Sequence, residues 1–193
     1  MAPASAASPA GWFKSLPFMT RVLCVTALAM AVLVAGRAYV MEPFVVPTGS
    51  MEPTIRVGDH LFGEKVTYAF RRPQAGEIVF FWSAAERSVL VKRIIATEGQ
   101  TVDVSGGSVL VDGKRVDEPY VHGARTEPLK PLAHGFMDGA EYPVTVPEGC
   151  LWVMGDNREQ SRDSRYFGPV SVEDVRARAL FIYLPFSHAG PVS

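Results

Sequence analysis

A serine, a lysine and a crowded polar loop are the residues of this chain best suited to do chemistry. Ser50 lies in the run Phe44-Val45-Val46-Pro47-Thr48-Gly49-Ser50-Met51-Glu52-Pro53-Thr54. Gly49 permits a close backbone approach or a positive φ, and Pro47 and Pro53 fix φ on either side. A hydroxyl held on so stiff a turn suits a nucleophile, provided that a base stands by to take its proton. Taken alone, a Gly-Ser pair between prolines reads more simply as a polar turn.

Lys92 is the candidate base. It sits within Val89-Leu90-Val91-Lys92-Arg93-Ile94-Ile95-Ala96, an apolar strand in which a charged amine is costly to bury. Desolvation there lowers the amine pKa from its ordinary value of about 10.4, which is what a lysine needs to act as a general base near neutrality. Strand alternation also allows the opposite outcome, with Lys92 facing solvent from an outer face. Arg93 points the other way by alternation and reads as a structural ion-pair partner.

The third feature is Gly155-Asp156-Asn157-Arg158-Glu159-Gln160-Ser161-Arg162-Asp163-Ser164-Arg165, caught between two apolar runs. Such composition defaults to a solvated loop, yet loops dense in paired charges also brace sites through hydrogen-bond networks. Asp156, Asp163, Arg158 and Arg165 are able to neutralise one another, and Ser161 can bond a neutral amine. Other nucleophile schemes fit poorly: the chain has no Gly-x-Ser-x-Gly elbow and no Ser-x-x-Lys pair. The four histidines, His60, His122, His134 and His188, are scattered without ligand spacing, so no metal or other cofactor is expected. A triad assembled in space stays open at this point.

These residues need elements to position them. From Val22 to Gly36 the chain is apolar apart from Thr26, and Ala38 to Met41 continue after Arg37. Residues 22–41 thus match the ~20 that a membrane-spanning helix requires. Lys14 and Arg21 precede the segment and no acidic residue does, which places residues 1–21 in the cytoplasm and 42–193 outside. The competing reading is a cleaved signal peptide, against which Arg37 interrupts any small-x-small site. Residues 1–11, rich in Ala, Pro and Ser, read as disordered.

Beyond Pro43 short β-rich runs alternate with turn residues, at 60–66, 77–82, 89–96, 101–104, 108–116, 142–146, 151–154 and 177–184. Asp112-Gly113 is a hairpin signal, since a type I′ turn needs positive φ at both central positions. A helical turn is expected at Ser171, with Asp174 completing a capping box. The expected fold class is mainly β, an antiparallel sheet or barrel-like catalytic domain behind one N-terminal transmembrane helix. Residues of about 120–145 read as a short insertion. Net charge of −1 offers no electrostatic case for a nucleic-acid partner. Cys24 lies in the apolar segment and Cys150 far along the β region, so they form no disulfide framework.

Taken together, these segments resemble bacterial type I signal peptidase, a membrane-bound serine protease family with a Ser/Lys dyad. The likeness runs in order through residues 37–185. Pro47 to Thr54 resembles the nucleophile box, Gly58-Asp59 and Gly76-Glu77-Ile78-Val79-Phe80 the next blocks, and Lys92-Arg93 the base box. Gly155-Asp156-Asn157-Arg158 through Asp163-Ser164-Arg165 is similar to the polar box, and Ala177-Arg178-Ala179 to Pro185 resembles the closing strand. The chain departs from the family pattern at Ala96-Thr97-Glu98-Gly99-Gln100, where Gly-x-x-Gly-Asp is common, and it carries a short insertion between the last two boxes.

The resemblance implies Ser50 as nucleophile and neutral Lys92 as general base. It implies an oxyanion hole from the Ser50 N–H and the Thr48 hydroxyl, with Ser161, Asp163, Arg165 and Arg93 supporting the dyad. Phe44, Val46, Met51 and Val91 would line shallow pockets for small residues, usually alanine, before the cleaved bond. The partners implied are preprotein signal peptides and the lipid bilayer, at the outer face of the bacterial cytoplasmic membrane. Relatives of the endoplasmic reticulum use histidine in place of the lysine, which Lys92 argues against. The rival reading is a membrane-anchored β domain that binds an exported partner without cutting it.

Overall fold

The computed structural model describes residues 17–128 and 142–192. The expected disorder at residues 1–11 lies outside the described residues, as does much of the insertion expected near 120–145. The chain divides into two compact units, Met1–Val40 and Met41–Ser193.

In the first unit a 22-residue helix, α1 (Phe18–Tyr39), begins after Pro17, a residue that cannot extend a helix backwards. Large apolar side chains including Phe18, Leu23, Leu28 and Leu33 are exposed along it, and the Thr26 hydroxyl donates to the Val22 carbonyl within the helix. Among the described residues no helix is long and apolar enough to cross a membrane. Arg21 and Arg37 punctuate α1 near its two ends. The boundaries also differ from the expected 22–41. The helix starts earlier and stops at Tyr39, because Met41 is already paired with Glu64 in a sheet.

Among the described residues the second unit has twelve strands: β1 (Met41–Val45), β2 (His60–Glu64), β3 (Ile78–Ser83), β4 (Ser88–Thr97), β5 (Thr101–Ser105), β6 (Ser108–Val111), β7 (Lys114–Arg115), β8 (Val144–Thr145), β9 (Cys150–Met154), β10 (Val170–Ser171), β11 (Val175–Leu184) and β12 (Gly190–Pro191). The larger sheet runs β1-β2-β11-β3-β4-β9-β10, with β12 beside β11, and the smaller runs β7-β6-β5-β8. All pairings among the described residues are antiparallel. The expectation of a mainly antiparallel β fold therefore holds, and β1 and β10 are the two open ends of the larger sheet.

Alternation explains β3. Ile78 and Phe80 enter one core cluster with Leu61, Val91 and Ala177, while Val79 and Phe81 enter another with Ile94, Leu151 and Val153. A strand buried on both faces reads as an unbroken apolar run. Trp82, at the strand end, is partly exposed. A register shift in β4 between Ile94 and Ala96 turns Ile95 and Ala96 into a third cluster with Val102, Val109 and Trp152, which joins the two sheets. The β6–β7 hairpin turns at Asp112 and Gly113, both with positive φ, as Asp-Gly predicts. At Ser171 the expected helical turn is a short 3₁₀ helix whose cap bonds the Glu173 N–H rather than forming a box with Asp174. The strand expected over 142–146 shrinks to Val144–Thr145. Two short helices, α2 (Thr67–Phe70) and α3 (Ser164–Phe167), carry no apolar periodicity that could have announced them.

Candidate active site

The turn that carries Ser50 follows β1 and is pinned by backbone hydrogen bonds. The Val46 N–H donates to the Asp59 carbonyl at 3.0 Å, and the Gly58 N–H donates to the Val46 carbonyl at 2.8 Å. Met51 and Ile55 are fully buried in the cluster under the turn, which leaves Ser50 at its surface with only 7% exposure. Gly49 serves by close approach and not by positive φ: a Cβ there would lie 3.1 Å from the Glu52 carboxyl carbon. Asn157 holds the turn from the polar loop, its backbone N–H on the Ser50 carbonyl at 3.2 Å and its side-chain amide on the Gly49 carbonyl at 3.1 Å.

Lys92 projects from β4 to the same point. Its Nζ lies 2.5 Å from Ser50 Oγ, and the residue is 2% exposed, so the solvent-facing alternative fails. Burial pushes the amine from 10.5 down to about 8, against the opposing pull of the Asp163 and Asp156 carboxylates. Arg165, a like charge, adds to the lowering. An amine so placed donates to Oγ when charged and accepts the hydroxyl proton when neutral.

Two buried ion pairs fix the surroundings. Arg93 grips Asp156 through Nε at 2.9 Å and Nη2 at 2.8 Å, and the Thr54 hydroxyl donates to the same carboxylate at 2.6 Å. Asp163 accepts from Arg165 Nε at 2.8 Å and Nη2 at 2.9 Å, and from the Gly155 N–H at 3.0 Å. Such forked guanidinium–carboxylate geometry orients both partners. The sequence reading paired the loop's four charges among themselves, but only Asp163 and Arg165 find each other within it. Asp156 reaches Arg93 in β4, and Arg158 pairs with Glu118 and bonds Thr126 Oγ1 at 2.6 Å.

Ser161 departs from expectation in detail. It is buried at 3% exposure, yet its Oγ has no hydrogen-bond partner among the described residues and so does not bond the Lys92 amine. It packs instead against Gly155, where a Cβ would fall 2.3 Å from Ser161 Oγ and 2.4 Å from the Ser50 carbonyl. Thr48 lies in the wall of an apolar cleft of about 220 Å³ that also includes Phe44, Val46, Val91, Ser50 and Lys92. Phe44 stacks on Phe80 with centroids 3.8 Å apart, closing the cleft from below. Gly63 makes that stack possible, since a Cβ there would stand 2.7 Å from the Phe44 ring. Met51 was expected in this wall, but it is fully buried in the core and absent from the lining. Its side chain alternates inward because Ser50 faces the cleft.

Two of the histidines stand elsewhere, and His134 lies outside the described residues. His188 bonds Asp59 at 2.7 Å and His60 packs edge-on to Tyr183, so neither serves Ser50. Among the described residues no cluster of His, Cys, Asp or Glu is able to hold a metal. Sequence reasoning missed Asn157, Tyr120, Glu118 and Thr126. Asn157 lies inside the polar run and so was within reach. Tyr120, whose ring lies 3.9 Å from the Arg93 guanidinium, comes from a loop that carries no pattern.

Comparison with known proteins gives consistent matches. Residues 19–184 match the family model described as "Signal peptidase, peptidase S26". The chain is 37% identical over 176 residues to "Probable signal peptidase I-1" of Synechocystis, covering 87% of this chain and 83% of that protein. It is 35% identical over 165 residues to "Signal peptidase I" of Bacillus licheniformis, covering 84% and 86% respectively. Against "Probable thylakoidal processing peptidase 2, chloroplastic" of Arabidopsis thaliana the identity is 36%, but the chain spans only 44% of that relative's length. A crystal structure of a signal peptidase I from Enterococcus faecalis superposes with a TM-score of 0.45 at 29% identity, covering 55% of this chain and 96% of that one.

Proposed function

Because the chain belongs to the signal peptidase family, peptidase S26, we propose that it is a membrane-bound serine endopeptidase that removes signal peptides from exported preproteins. The observation that carries this reading is the buried contact between Lys92 Nζ and Ser50 Oγ. An amine lowered to about 8 is neutral in roughly a tenth of molecules at pH 7, against about one in three thousand at its ordinary value. Neutral Lys92 takes the Ser50 proton as Oγ attacks the scissile carbonyl. The Ser50 N–H and the Thr48 hydroxyl stabilise the oxyanion, at about 3 kcal/mol per donor. The Lys92 ammonium then protonates the departing amine, leaving an acyl-enzyme on Ser50. Neutral again, Lys92 draws a proton from water, which attacks the ester and frees the enzyme. Arg93–Asp156 and Asp163–Arg165 hold the loop against the dyad, and Ser161 packs beside them as support. The reaction calls on no cofactor.

The cleft under Phe44, Val46 and Val91 suits the small side chain that precedes the cleaved bond. Replacing alanine by leucine at that position of a precursor should lower kcat/KM about 10- to 100-fold, from the ~1–3 kcal/mol cost of overfilling a packed space. Mass analysis of the products checks both the site and the rate, and equal cleavage of the two precursors would refute the pocket assignment.

The proposal extends to the membrane. What supports this is the sequence, whose residues 22–41 are apolar apart from Thr26 and Arg37 and number the ~20 that a bilayer core requires. Large apolar side chains such as Leu23, Leu28 and Leu33 are exposed along α1, and Arg21 and Arg37 sit near its ends, where long cationic side chains reach the interface. The preceding Lys14 and Arg21 favour a cytoplasmic N-terminus, a single pass and a catalytic unit at the outer face of the bacterial inner membrane. Sharing a surface with a tethered substrate raises their effective concentration. A non-catalytic β domain would leave the cost of burying Lys92 without a return.

A further inference from the structure

A cavity of about 630 Å³, larger than the cleft at Ser50, lies beside β6 and β7 of the smaller sheet. Its walls include the glycine turns at Gly106, Gly107 and Gly123 and two arginines, Arg115 and Arg125. Neither arginine has an ion-pair or hydrogen-bond partner among the described residues, whereas the polar loop's buried Arg158 and Arg165 are both paired. Arg125 is laid across the Gly107 backbone, where a Cβ would come within 2.9 Å of its Nε, and the Thr126 N–H donates to the Gly107 carbonyl at 3.0 Å. Both arginines are exposed, with Arg125 lying against the Gly107 backbone.

The charge balance favours an anion. Of the two acids in the lining, Glu118 is committed to Arg158, which leaves Asp117 opposite two cations. Planar guanidinium donors recognise carboxylates by paired hydrogen bonds. The cavity is also wired to the nucleophile turn from the side of the polar loop. Glu118 and Thr126 hold Arg158, and its neighbour Asn157 holds the carbonyls of Gly49 and Ser50. The apolar cleft for residues before the bond, by contrast, opens between β1 and β4 and shares no lining residue with it.

We propose that this cavity receives an acidic side chain from the mature portion of the preprotein, beyond the cleaved bond, through Arg115 and Arg125. The proposal rests on the peptidase reading above and adds a second determinant of substrate choice to the same site. It is tested with the full-length enzyme in detergent micelles and matched precursors that carry Asp or Asn at successive positions of the early mature segment. At one such position the Asp precursor should show a kcat/KM about five- to tenfold above its Asn twin, mostly through KM, the scale of a partly desolvated charge contact. In Arg115→Gln and Arg125→Gln together, that ratio should fall to near one, and in Arg125→Glu it should invert in favour of a Lys precursor. A general folding defect lowers both precursors alike and leaves the ratio standing, which would overturn the proposal. So would a ratio of one in the parent enzyme at every position. If the variants instead lose only their affinity for vesicles containing anionic lipid, the cavity serves a headgroup and the proposal fails. Absence of cleavage of the neutral precursor by the parent enzyme would strike the peptidase reading itself.

Discussion

A Lys92→Met variant should lose kcat by about 10⁴-fold or more and yet melt no lower than the parent. The two halves of this result have one cause. Lys92 is 2% exposed and stands 2.5 Å from Ser50 Oγ, so its removal takes away the group placed to accept the hydroxyl proton. Residual activity would come from the oxyanion donors and from binding alone. Burial holds the amine at about 8 rather than 10.5, which means that the folded state binds this proton less tightly than the unfolded chain does. Stability from this group is fully present above 10.5 and is lost as pH falls through 8. At neutral pH the folded protein therefore carries a penalty of about 3 kcal/mol that methionine, apolar and of similar length, does not. Comparing thermal unfolding of parent and variant isolates the effect, since other titrating groups are common to both. The parent should gain stability relative to the variant between pH 8 and 10.5. A variant that cleaves normally, or one that unfolds at room temperature, would contradict this account.

Gly155→Ala should damage activity by a different route. The added methyl would fall within 2.3 Å of Ser161 Oγ and 2.4 Å of the Ser50 carbonyl, and the second of these is backbone and cannot rotate away. Either the nucleophile turn or the loop must move. Overpacking of this kind costs about 1–3 kcal/mol of stability. A displacement of roughly 1 Å at a reacting group costs about 10²-fold in rate. The expected result is a fall in kcat of about 10²-fold or more with a modest drop in Tm. A Gly155→Ala/Ser161→Gly double variant relieves only the side-chain clash and should recover stability in part but little rate. Full recovery in the double variant would show that Ser161, and not the nucleophile turn, bears the strain.

Where pattern and chemistry coincide, the chain could be read directly. The prolines around Ser50 implied a rigid turn, whereas the apolar frame around Lys92 left burial and a solvent-facing lysine both open. Asp112-Gly113 implied a hairpin, and the β-rich run at 77–82 implied a strand. What escaped depends on distance in space. That Asp156 would choose Arg93, and Arg158 choose Glu118, follows from which strands lie beside the loop, and nothing in the local composition encodes it. Tyr120 over Arg93 is of the same kind. Met51 was misplaced because adjacent residues in a turn face opposite ways, and with Ser50 at the surface the methionine had to fill the core. The end of α1 escaped too, because Val40 and Met41 are as apolar as the residues before them and only pairing with β2 separates the two elements.

The claim beneath all of this is that the amine facing Ser50 is uncharged in a usable fraction of molecules near neutrality. The pH dependence of kcat/KM on a single precursor reports it most directly, since kcat/KM follows the free enzyme's essential groups. The account predicts an acidic limb rising about tenfold per pH unit and levelling near pH 8. A limb still climbing at 10.5, the ordinary lysine value, would contradict it, as would a rate indifferent to pH throughout that interval.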